Sequence, residues 1–172
     1  MNINKLALLT LVFSALLSDT ASAATRIAVL DFELNDITSL PNISTERQRT
    51  ASMAPLLTKA LSQIDNYEII PVDADMQKAA NSSFGYLFRF HDLAAQLGRQ
   101  LGADWIIISQ HSKPSFLFSY LWVYLIDVKK QKAIARYDIE LKGNHEKVTQ
   151  RGIASLTRKI QTTVSRLNES RN

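Results

Sequence analysis

The sequence predicts one mixed α/β domain, a five-stranded sheet in the order β-α-β-α-β-β-β-α with helices mainly on one face. Three observations lead there. Apolar or alternating runs of strand length recur at 26–34, 67–72, 105–110, 116–128 and 133–141. Segments with apolar residues at helical spacing separate the first three runs and close the chain. Two helical crossovers imply parallel pairing of the first three strands, and the short turn at 129–132 implies an antiparallel hairpin for the last two.

The N-terminus reads as an export signal. Lys5 supplies a positive charge, Leu6–Leu17 is an apolar run, and Ala21–Ser22–Ala23 is a small-x-small cleavage pattern. The run is shorter than the roughly 20 apolar residues that span a bilayer. Cleavage is expected after Ala23, leaving 24–172 as a single domain in the periplasm; an uncleaved anchor or a buried helix is the alternative.

RIAVLDFEL (26–34) is the first strand, and NDITSLPN (35–42) is a loop of turn formers. Ser44 or Thr45 can cap the next helix, with Gln48 as capping-box partner. Met53, Leu56, Leu57, Ala60, Leu61 and Ile64 form its apolar face, and Pro55 marks a kink or a later start. YEIIPV (67–72) is the second strand, ended by Pro71. A short helix follows at 73–80. A second helix at 91–101 aligns Leu93, Leu97 and Leu101 and stops at Gly102. The third strand is 105–110, and the long strand 116–128 pairs with 133–141. The last helix, about 145–167, carries Val148, Ile153, Leu156, Ile160, Val164 and Leu167 on its buried side.

The chain has no cysteine, which excludes disulfides, thiolate metal sites, a cysteine nucleophile and a lipid-modified cysteine. Net charge is +4, unevenly spread. From Ala24 to Gln110 acids outnumber bases; from His111 onward bases outnumber acids strongly, and Lys147, Arg151, Arg158, Lys159 and Arg166 sit on the closing helix. That helix is either a solvated face or a contact for an acidic protein or an anionic membrane surface. Nucleic acid is not an expected partner, because the aromatic interleaving of a single-strand binder is missing.

Two groups of residues are candidate sites. Phe116, Phe118, Tyr120, Trp122 and Tyr124 alternate onto one side of a single strand, with Leu117, Leu121, Val123 and Leu125 on the other. Such a strand is either a two-sided core or, if one side is uncovered, an interaction site. Asp31, Glu33, Asp36, Asp73, Asp75 and His111 fall at the carboxyl ends of parallel strands, where open α/β sheets take ligands. Their oxygens suit calcium or magnesium, although the spacing matches no calcium loop and Asp73 and Asp75 also suit a helix start. No metal ligand set, cofactor or catalytic residue is assigned. His91, His111 and His145 lie in unrelated segments, and no phosphate loop, dinucleotide fingerprint, G-x-S-x-G or H-E-x-x-H is present.

The pieces LDFEL, YEIIPVD, LGRQLGADWIIIS, the long strand ending in IDV and ELKGN recur in this order over 26–167. The first three resemble the N-terminal α/β domain of TolB and the periplasmic domain of CsgG-type proteins. More closely, LDFEL, LGAD, the strand ending in IDV and ELKGN resemble a secreted bacterial family of unknown function. Members of that family often carry a cysteine pair in the region of 81–90, which this chain lacks. The resemblance implies an envelope accessory or assembly role and names no catalytic residue. The expected function is thus a periplasmic binding domain that engages an envelope protein or itself, without catalysis. The alternative is a small-molecule or divalent-metal binder at the carboxylate-rich sheet edge.

Overall fold

The computed structural model describes residues 24–143 and 146–169; the expected signal segment lies outside them. The strands are β1 (Thr25–Val29), β2 (Glu33–Asp36), β3 (Tyr67–Ile70), β4 (Trp105–Lys113), β5 (Phe118–Asp127) and β6 (Lys132–Lys142). The helices are α1 (Ser44–Ala51), α2 (Met53–Leu61), α3 (Ala74–Ala80), α4 (Tyr86–Arg89), α5 (His91–Gln100) and α6 (Glu146–Glu169). One mixed sheet runs β3-β1-β4-β5-β6, with β2 also paired to β4. β1 lies parallel to β3 and β4, and β5 is antiparallel to both β4 and β6.

The sheet has six strands rather than five because the first predicted strand is broken. Ile27 lies opposite Trp105 but Glu33 lies opposite Gln110, so one extra residue is inserted between β1 and β2. A bulge of this kind reverses which face the following side chains take. Glu33 therefore leaves the face that Val29 occupies, and Asp36 joins it. A second irregularity, between Leu125 and Ile126, puts Ala133 opposite Ile126 and sends Ala133 to the face opposite Ala135.

Each face carries a core. Ile27, Val29, Trp105, Ile107, Leu121, Val123, Leu125, Ile139 and Leu141 pack under α2 and α6. Ala28, Leu30, Ile106, Ile108, Ile126 and Val128 pack under α4 and α5. Burying one such aliphatic side chain stabilises the fold by about 1.5–3 kcal/mol. Most helical length, in α1, α2 and α6, lies on the first face as expected, and the shorter α3–α5 cover part of the second. At Gly98 a Cβ would stand 2.6 Å from Val128 Cγ2 and 3.3 Å from Ile106 Cβ, so only glycine lets α5 approach this closely.

The helix predicted at 44–64 is two helices. Pro55 has no N–H for the Ala51 carbonyl, and the chain breaks at Ser52 between α1 and α2. The cap position falls on Ile43, whose carbonyl accepts from Glu46 and Arg47 N–H, so neither Ser44 nor Thr45 caps with its side chain. Asp73 does cap α3, accepting from Asp75 and Met76 N–H. Gly102, at φ 69°, ends α5 in the left-handed conformation. Among the described residues no helix is long and apolar enough to cross a membrane.

Candidate functional site

β5 separates two environments. Ser119, Leu121, Val123 and Leu125 are buried on the first face. Phe118, Tyr120, Trp122 and Tyr124 project from the second face, and Tyr120, Trp122 and Tyr124 are half-buried while Phe118 is 36% exposed. The reason is coverage. α4 and α5 reach the far end of β5, where Tyr124 meets Phe88 at 4.9 Å and His91 at 4.4 Å between ring centroids. Toward Phe118 they do not extend, and the strand continues with Phe118 edge-on to Tyr120 at 5.8 Å. Leu117 is 77% exposed just before it. Phe116 precedes the strand and its ring lies 5.7 Å from Lys113 Nζ, so it stands apart from the other four aromatics.

The neighbouring strand supplies charges that cancel locally. Arg136, Asp138, Glu140 and Lys142 lie opposite Tyr124, Trp122, Tyr120 and Phe118. Arg136 pairs with Asp138 at 3.0 Å, and Lys142 with Glu140 at 3.6 Å. The Arg136 guanidinium also stands 5.9 Å from the Trp122 ring and 5.7 Å from the Tyr124 ring. Its bond to Asp138 leads the interactions that hold its pKa above the ordinary value. The result is an aromatic surface bordered by paired charges.

The carboxylates expected at one sheet edge are dispersed. Asp31 is exposed; its backbone N–H donates to Gln77 Oε1. Glu33 accepts from Asn81 Nδ2 at 2.8 Å, Gly85 N at 2.9 Å and Gln110 Nε2 at 3.1 Å, and so anchors the 81–85 loop over the second face. Burial alone would raise the Asp36 pKa, but hydrogen bonds from Thr38 and Asn42, with Lys113 nearby, hold it below the usual value. Asp73 caps α3 and Asp75 is exposed in its first turn. Among the described residues no group of three His, Cys, Asp or Glu side chains is arranged to hold a metal ion.

His111 is at the centre of a network that the sequence does not announce. It is fully buried, with Nδ1 2.8 Å from Thr50 Oγ1 and Nε2 2.9 Å from Ser119 Oγ. Thr50 gives its hydroxyl proton to the Glu46 carbonyl, so it must accept from Nδ1–H, and Nε2 accepts from Ser119. Beside it Glu46, 3% exposed, binds Lys113 Nζ at 2.7 Å and Arg49 Nη1 at 3.5 Å. Arg49 also donates to Thr149 on α6 and to the Gly143 carbonyl. Burial first, then the Arg49 charge, lowers the His111 pKa to about 4, so the ring is neutral. The Ser119–His111 contact resembles half of a hydrolytic triad, but Ser119 is 1% exposed and Thr50 stands where a carboxylate would orient the ring. The His111–Thr50 bond ties α1 to the sheet, and the buried Ser119–His111 pair offers a substrate no access.

A family model, DUF3280, described as a protein of unknown function (DUF2380), matches residues 25–160. No curated protein sequence matches the chain. Among solved structures, the LpoB C-terminal domain from Salmonella enterica matches at 17% identity and TM-score 0.48, over 77% of this chain and 93% of that one. The PelC dodecamer from Paraburkholderia phytofirmans matches at 11% identity and TM-score 0.52, over 79% and 87%. TolB from Acinetobacter baumannii matches at 14% identity and TM-score 0.48, over 83% of this chain and 29% of that one. The PelC match shows a shared fold and nothing further.

Proposed function

The chain belongs to the DUF3280 family, whose function is unknown, and from that premise we propose that it is a non-catalytic binding domain of the cell envelope that assembles through the aromatic face of β5, with a second copy of the chain as the occupant. One observation carries this. Phe118, Tyr120 and Trp122 lie on a sheet face that the domain's own helices leave uncovered, next to charges already paired. Aromatic side chains offer large contact area at low entropic cost, and pre-paired charges add little desolvation penalty when covered. Assembly through the sheet edge is less suited: β6 presents Lys132, Arg136, Asp138, Glu140 and Lys142, which guard against strand addition. The fold match to PelC, a dodecamer in its own structure, is consistent with a framework that tolerates assembly. The envelope location rests on the export-like N-terminus and on the family resemblance.

The test is the solution mass by light scattering of the wild type beside Phe118→Ser and Trp122→Ser. The wild type should exceed the monomer mass, and both variants should fall to monomers with unchanged circular dichroism. A wild-type monomer at all concentrations, with variants that unfold, would make this face part of the core and end the proposal.

A further inference from the structure

The helix layer on the first face is cationic from end to end. α6 exposes Lys147, Arg151, Arg158, Lys159 and Arg166, and beside it α1 and α2 expose Arg47 and Lys59. From Lys147 to Asn168 there is no acidic residue. Exposed acids in this layer stand only at the two ends of α6, Glu146 and Glu169, while Glu46 is buried against Lys113. Among the described residues none of these seven cations has a carboxylate within 4.0 Å. At 3.6 residues per turn, the five on α6 fall within an arc of about 120°, opposite the buried Leu156 and Ile160, along a helix about 36 Å long. A shallow groove beside Arg158, Lys159 and Arg166 adds the hydroxyl-bearing side chains of Ser155 and Thr162.

The other helix layer is different. α3–α5 mix Asp75 and Asp92 with Lys78, Arg89 and Arg99. Charge is therefore polarised across the sheet, with the basic layer opposite the aromatic face. The basic layer also lacks an apolar centre: no large exposed hydrophobic side chain belongs to α1, α2 or α6. A protein interface would need such a centre. A row of unpaired cations without one fits a continuous plane of negative charge.

We propose that this helix layer seats the domain on an anionic bilayer surface, with the aromatic face of β5 turned away from it. Contact is electrostatic and superficial, without insertion. It goes beyond assembly through β5 and holds for a monomer or an oligomer. The layer would fix which way the aromatic face points.

Co-sedimentation of the purified protein with phosphatidylcholine vesicles, with and without phosphatidylglycerol, tests this. Binding should require phosphatidylglycerol and fall steeply with salt. At about fivefold per cation, Arg151→Gln/Arg158→Gln/Arg166→Gln should weaken it about a hundredfold. These exposed helical positions accept glutamine with little loss of helix propensity, which circular dichroism checks. Lys129→Gln/Lys132→Gln, at the β5–β6 turn, should bind nearly as the wild type does. Absence of phosphatidylglycerol-dependent binding would overturn the proposal. So would binding indifferent to salt, or an equal loss in the turn variant. Preference for soluble poly-glutamate over the vesicles would overturn it in favour of an acidic protein partner.

Discussion

Replacing Glu46 with leucine is expected to lower the stability of the fold by about 3–5 kcal/mol, because it strands buried cations without a counter-charge. Lys113 Nζ is 2.7 Å from Glu46 Oε1, and the side chains are 5% and 3% exposed. Arg49 leans on the other carboxylate oxygen, and burial already lowers its pKa below the ordinary value. Removing the carboxylate leaves two positive charges in a poorly solvated pocket next to His111. Urea unfolding of the variant measures the loss. A double variant, Glu46→Leu/Lys113→Met, should recover a substantial part of it, since a buried pair replaced by apolar side chains is often close to neutral. If Glu46→Leu alone costs under about 1 kcal/mol, water reaches the pair and it is a surface ion pair in all but position.

Acid is expected to weaken the fold through His111. Its pKa falls from the ordinary 6.5 to about 4 in the folded state. Between those values the unfolded chain binds more protons than the folded one, so stability drops as pH falls from about 6.5 toward 4. The full contribution is present above the unfolded value and amounts to about 3 kcal/mol. The cause is first the burial of the ring and then the Arg49 charge, in a site where Nδ1 donates to Thr50 while Nε2 accepts from Ser119. Protonating Nε2 turns two donors toward each other, with Arg49 and Lys113 adding repulsion. Unfolding midpoints measured across this window should slope for the wild type. The slope should flatten for His111→Asn, a less stable but non-titrating variant.

Strand and helix order was legible because periodicity carries it: β5, β6, α5 and α6 lie within a few residues of their predicted positions. What escaped has local physical reasons. The bulge at Leu30–Phe32 adds one residue to an otherwise continuous run, and only the pairing partner reveals it. β4 continues past its predicted end at Gln110 through His111, Ser112 and Lys113, whose polar character suggests a strand end. They are buried because β2 and β5 flank them on both sides and hydrogen bonds or ion pairs engage several. The ionic network needs α1, β4 and α6 together, and no sequence spacing brings Arg49 to Thr149. The aromatic alternation of β5 was plain, but its exposure depended on where α4 and α5 stop.

Trp122 offers the most direct measurement of the central claim. Of the two tryptophans, Trp105 is 1% exposed and Trp122 is half-buried on the uncovered face. The difference in acrylamide quenching between the wild type and Trp122→Phe isolates the Trp122 indole, followed from dilute to concentrated protein. An interface on β5 predicts ready quenching when dilute and progressive protection as concentration rises. Quenching of the Trp122 indole that stays constant over the whole range would contradict assembly through this face.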